Sequence, residues 1–130
     1  PPEVIEQRYA QINDFERLLV ESGTVVLKFM LNISKAEQGR RLQARLDDPA
    51  KHWKFNEGDL DDRAHWDGYR DAYRLMLERC STPHAPWRVI PADRKWVRNA
   101  SIAAVVRATL EAMDPQYPQA RFDPAAITIS

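Results

Sequence analysis

Apolar residues recur at three- and four-residue steps through Val4, Ile5, Tyr9, Ile12, Phe15 and Leu19, which predicts a helix over Pro1 to Val20. Glu21-Ser22-Gly23 ends it, the glycine being free to form a left-handed cap. The next run, Thr24 to Ile33 (TVVLKFMLNI), is β-branched and aromatic without clean alternation. That pattern predicts a strand covered on both faces, as in a parallel sheet. Ser34 follows with Glu37 three residues on, a capping box opening a helix from Lys35 to Leu46. Asp47-Asp48-Pro49 stops that helix.

Residues 49 to 58 read as a polar loop carrying Trp53 and Phe55. Asp59 then reads as the N-cap of one helix ending near Cys80, with Leu60, Trp66, Tyr69, Tyr73 and Leu77 as its stripe. Ser81 to Pro86 is a loop, and Trp87 to Ile90 a short strand closed by Pro91. Asp93 reads as the cap of a last helix over Arg94 to Met113, and the proline-bearing tail after Asp114 as extended surface chain. No internal repeat or low-complexity segment interrupts this order. Helix, strand, two helices, strand, helix is an α/β order that implies parallel strands with crossover helices. Two strands do not complete a three-layer sheet. The expectation is therefore that further strands come from upstream sequence or a partner, in keeping with a chain that starts at Pro1 rather than methionine.

Composition narrows the classes. The 130 residues are 44% hydrophobic and 29% charged, which fits one folded domain and argues against disorder. Nineteen basic residues balance nineteen acidic ones, so global charge points to neither nucleic acid nor membrane. No apolar run reaches the ~20 residues of a membrane helix. The single Cys80 excludes an internal disulfide framework and a multi-cysteine zinc site, and no local partner activates it. His52, His65 and His84 show no metal-ligand spacing, so no metal-binding residue is named.

The chemistry concentrates in Ile33 to Arg63 (ISKAEQGRRLQARLDDPAKHWKFNEGDLDDR). Lys35, Arg40, Arg41, Arg45, Lys51 and Lys54 fall there, and Arg41 and Arg45 share a helix face. Guanidinium forks match phosphate oxygens, and an Arg-rich helix with a loop after a strand is one way phosphoryl-transfer enzymes build a closing lid. A solvated helix face with surface ion pairs is the other reading. Trp53 and Phe55 stand equally as stacking or packing groups, whereas Trp66 and Trp87 read as packing anchors. Asp93 and Lys95 lie just beyond a strand's carboxyl end, where ligands of open α/β sheets bind. No Gly-x-x-x-x-Gly-Lys-Ser/Thr phosphate loop occurs.

Several segments, in order, resemble the carboxyl-terminal half of polyphosphate kinase family 2. They are Tyr9 to Glu16 (YAQINDFE), Ser34 to Gln38 (SKAEQ), Arg41 to Arg45 (RLQAR) and Asp48 to Phe55 (DPAKHWKF). Gly58 to Arg63 (GDLDDR) with Trp66 and Tyr69, and Ala85 to Trp96 (APWRVIPADRKW), complete them. Trp53-Lys54-Phe55 and Ile90 to Trp96 look most like the subclass using both nucleoside mono- and diphosphates. The resemblance implies a P-loop kinase-like, thymidylate-kinase-like three-layer fold with a parallel sheet, of which these residues form the helix-rich part.

It also implies transfer of a terminal phosphoryl group between inorganic polyphosphate and AMP, ADP or ATP, with Mg2+ whose ligands lie in the missing upstream half. On it, residues 34 to about 69 form the lid and residues 87–113 the last strand and helix. Arg41 and Arg45 contact phosphate as catalytic groups; Lys35, Lys51, Lys54 and Arg63 line a polyphosphate path. Asp59 orders the lid or supports an arginine, and Asp93 lies near the nucleotide. The family's Walker A loop and upstream Asp-Arg motif are not in this sequence, so these residues alone are expected not to catalyse. The implied partners are the missing amino-terminal half and further copies in a homo-oligomer, and the implied compartment is the cytoplasm. A non-catalytic binding fragment for polyphosphate or nucleotide and a helical interaction module are the alternatives.

Overall fold

A computed structural model describes residues 2–129; Pro1, included in the expected first helix, lies outside them. The first helix, α1, spans Pro2–Glu21, and Gly23 takes φ +87° just beyond it, as the cap reading expects. Strand β1 covers Lys28–Asn32, helix α2 Lys35–Leu46, and a 3-10 turn Pro49–Lys54. Helices α3 (Gly58–Ala64) and α4 (Trp66–Cys80) follow, then strand β2 (Trp87–Pro91) and helix α5 (Lys95–Met113). The two strands pair in parallel, Lys28 opposite Trp87 through Asn32 opposite Pro91. Parallel pairing with helices in the crossover is the arrangement the element order predicts.

Several boundaries differ from expectation: β2 takes in Pro91, α5 starts at Lys95, a 3-10 turn fills Pro49–Lys54, and three further differences have clear causes. The first strand starts at Lys28 rather than Thr24, because its partner starts at Trp87 and the preceding Pro86 has no N–H to extend the ladder. The expected single helix after residue 58 is two, broken at His65 (φ −88°, ψ 19°), whose N–H bonds back to the Asp62 carbonyl in a tightened turn. Asp59 is not a cap but lies within the first turn of α3, where its negative charge suits the helix dipole.

The core is small. Among the described residues its buried apolar members are Leu42, Cys80, Ala85, Ile90 and Ala92. The sheet is not covered on both faces, for Leu31 and Val89 are about half exposed. They border an open groove of about 720 Å³ whose walls include Phe29, Trp66, Tyr69 and Tyr73.

Polar ties supply what the core does not. Lys28 is buried, and its Nζ donates to Glu16 Oε2 on α1 and to the Cys80 carbonyl that ends α4, each at 2.6 Å. It also sits 5.1 Å from the Trp87 ring centroid. Asn13 on α1 donates to the Arg79 carbonyl at 2.9 Å, so the last two carbonyls of α4 are paired by groups from α1 and β1.

Candidate functional site

Both strands run out on the same side of the molecule, and only Ile33 and Ser34 separate β1 from α2. Ser34 caps it as predicted, its side chain accepting the Glu37 N–H at 3.1 Å. The reciprocal half of the expected capping box is absent. Glu37 turns instead toward Arg40 and Arg41, pairing with Arg41 Nε at 2.7 Å. The Ser34 N–H, which a capping-box glutamate would take, is bonded by Asp93 Oδ1 at 2.7 Å.

Asp93 therefore does not cap the last helix. Position 94 is the N-cap of α5 and makes no side-chain cap bond there, because the preceding carboxylate is already committed to α2. Hydrogen bonds from the Ser34 N–H and hydroxyl hold the Asp93 carboxyl below its ordinary value, and the charges of Arg41 and Arg40 add to the effect.

Arg41 is half-buried. Besides its Glu37 bond, its Nη2 donates to the Ala92 carbonyl at 2.7 Å and the Asp93 carbonyl at 3.0 Å. None of these contacts uses Nη1. Arg45, one turn further, donates through Nη1 to the Lys54 carbonyl at 3.2 Å and Asp59 Oδ2 at 3.3 Å. Asp59 thus stands beside an arginine, as one of its two expected roles requires.

Arg63 reaches back from α3, its Nη1 donating to the Lys35 carbonyl and to Gln38 Oε1, each at 2.7 Å. Gly39 eases that approach: a Cβ there would lie 3.1 Å from Arg63 Nη2, so the guanidinium would have to give by a few tenths of an ångström. Lys51 pairs with Asp48 at 2.6 Å, which with the Ala50 N–H depresses the Asp48 carboxyl. Lys54 sits 4.9 Å over the ring of Trp53, itself largely exposed. Lys35 projects from the first turn of α2 with its side chain exposed.

The structure thus brings Lys35, Arg41, Arg45, Lys51, Lys54, Asp59 and Arg63 into one layer, residues 34–65, with Asp93 docked against its root. The sequence reading missed Glu37 as a partner for the arginines, although Glu37 and Arg41 stand at the i,i+4 spacing that reports such a pair. His52, His65 and His84 each face a different backbone carbonyl rather than converging. Among the described residues no group of three His, Cys, Asp or Glu side chains is arranged to hold a metal ion, and no helix is long and apolar enough to cross a membrane.

Comparison with known proteins adds the family context. The sequence profile of "Polyphosphate kinase 2 (PPK2)" matches residues 1–119. An AMP/ADP-polyphosphate phosphotransferase of Meiothermus ruber is 50% identical over 119 residues, covering 92% of this chain and 45% of that protein. An ADP-polyphosphate phosphotransferase of Rhodopseudomonas palustris is 40% identical over 113 residues, covering 87% and 39%. The crystal structure of polyphosphate kinase 2 from Arthrobacter aurescens superposes with a TM-score of 0.91 at 51% identity, covering 95% of this chain and 44% of that one. The chain spans less than half the length of these relatives.

Proposed function

The chain belongs to the polyphosphate kinase 2 family, and on that premise we propose that it carries the polyphosphate-facing lid of a nucleotide phosphotransferase. The reaction is transfer of a terminal phosphoryl group between inorganic polyphosphate and a nucleoside mono- or diphosphate. One observation carries the reading. A helix with Arg40, Arg41 and Arg45 rises from the carboxyl ends of two parallel strands and is continued by a turn bearing Lys51 and Lys54. That edge is where ligands of α/β sheets bind.

Phosphoryl transfer passes through a loose transition state whose charge is spread over oxygens, so positioned cations are what a lid contributes. Lys35, Lys51 and Lys54 supply exposed ammonium groups for a chain of phosphates. Arg45 supplies a guanidinium held in place by the Lys54 carbonyl and Asp59. Arg41 offers phosphate its Nη1 edge alone, because Nε and Nη2 are already engaged. Arg63 braces α3 against α2 beneath that surface.

Magnesium is the cofactor of this reading. Among the described residues no three His, Cys, Asp or Glu side chains are grouped to hold a metal ion, and no step is routed through one. Its ligands, the phosphate loop and the nucleotide's remaining contacts fall to residues other than these. The assembly is a homo-oligomer working in the cytoplasm.

The test is binding of sodium polyphosphate to the 130-residue chain, followed by tryptophan fluorescence through a salt series. Affinity is expected to fall steeply as salt rises. No binding at low salt would overturn the reading. The same chain, with no second polypeptide present, is expected to form no ATP from ADP and polyphosphate; formation of ATP would show that it is catalytically complete.

A further inference from the structure

Two contacts join the root of α2 to the end of β2, and the functional reading assigns neither a role in positioning the helix. Asp93 Oδ1 accepts the Ser34 N–H at 2.7 Å, at the residue that opens the helix. Two turns on, Arg41 Nη2 donates to the Ala92 and Asp93 carbonyls at 2.7 and 3.0 Å. The Ala92 N–H completes the arrangement by donating to the Asn32 carbonyl at 2.9 Å, which continues the ladder one step past Pro91. Residues 92 and 93 are therefore held to both β1 and α2.

We propose that Asp93 is a positioning residue of the lid: together with Arg41 it latches α2 to the carboxyl end of β2 and so sets where the cations of residues 35–54 stand. The inference rests on the proposed polyphosphate role for the purpose of the latch, but not for its existence.

The geometry gives the two groups different parts. Asp93 satisfies one of the unpaired N–H groups at a helix start and places its negative charge at the favourable end of the helix dipole. Arg41 fixes rotation about the helix axis, because one of its nitrogens spans two successive carbonyls while another is held by Glu37. Loss of either contact leaves the element ends in place and frees the angle between them. A change at Asp93 leaves every phosphate-facing side chain untouched, so its effect on polyphosphate reaches them only through α2.

The experiment compares Asp93→Ala with Asp93→Asn in the 130-residue chain, reading amide hydrogen exchange at Ser34 and affinity for sodium polyphosphate. Asp93→Ala is expected to speed exchange at Ser34 about tenfold and to weaken polyphosphate binding several-fold. Asp93→Asn keeps an acceptor oxygen and is expected to restore much of both. Arg41→Lys, which keeps the charge but not the fork, is expected to loosen exchange at the start of α2. Unchanged exchange at Ser34 in Asp93→Ala would overturn the latch. Faster exchange with unaltered polyphosphate affinity would overturn its positioning role. If the unaltered chain bound no polyphosphate while exchange still responded to Asp93→Ala, the functional reading would fall and the latch would stand.

Discussion

Cations serve opposite ends in two regions of this chain. At the joint of α1, β1, α4 and β2, Lys28 is only 8% exposed, and a carboxylate, a helix-ending carbonyl and an indole face surround its ammonium group. In the layer of residues 34–65, Arg40 is 77% exposed on its side chain and Lys51 50%. The difference is one of desolvation. A buried ammonium is tolerable only when its donors are matched, and once matched it ties elements together. An exposed guanidinium such as Arg40 keeps most of its hydration and remains available to an anion, even though its partner Glu37 is itself buried. Arg41 stands between the two cases, half-buried and mostly engaged.

The strongest way to break this contrast is Lys28→Met. Removing the ammonium leaves Glu16 Oε2 and the Cys80 carbonyl without their partner. The expected loss is about 3 kcal/mol of unfolding free energy, read by urea denaturation. A loss as small as that of a surface pair would place Lys28 with the exposed cations instead.

Arg45→Ala should show the reverse profile. Stability is expected to change by less than about 1 kcal/mol, because its pairs are solvent-screened. Affinity for polyphosphate is expected to fall roughly tenfold at low salt, with a much smaller deficit at high salt. The pair of measurements on one purified variant decides which region Arg45 belongs to.

The smallest effect concerns acid. The Asp93 carboxyl is depressed below its ordinary value, chiefly by Ser34. Its contribution is therefore complete above the ordinary carboxylate range, about pH 4, and is lost as pH falls through the lowered folded value. Ser34 amide protection should hold through the neutral and mildly acidic range and collapse only at stronger acid. Protection that faded near neutrality would assign it to another group.

Much of the fold was legible in the sequence because it is set by near neighbours. Gly23 beyond α1, Ser34 at the start of α2 and Asp47-Asp48-Pro49 at its end all act within one turn of chain. The parallel relation of the strands followed from the intervening helices. The break at His65 was not legible, since the apolar stripe runs on through it from Leu60 to Leu77. Within the candidate site, the clustering of basic residues over 35–54 could be read directly, but not which of them are already engaged.

The sequence alone determined the order of the elements, the ends of α1 and α2, that the strands run parallel, and that positive charge gathers on one segment, because helix caps, breakers and spacing are local physics. Only the tertiary structure decided that Lys28 of an apolar run is buried against Glu16, and that Asp93 closes the start of a helix 59 residues before it. A carboxylate beside its own helix and one beside a distant helix look the same in sequence. The choice between them is made when two strands align their ends and bring the competing N–H groups within reach.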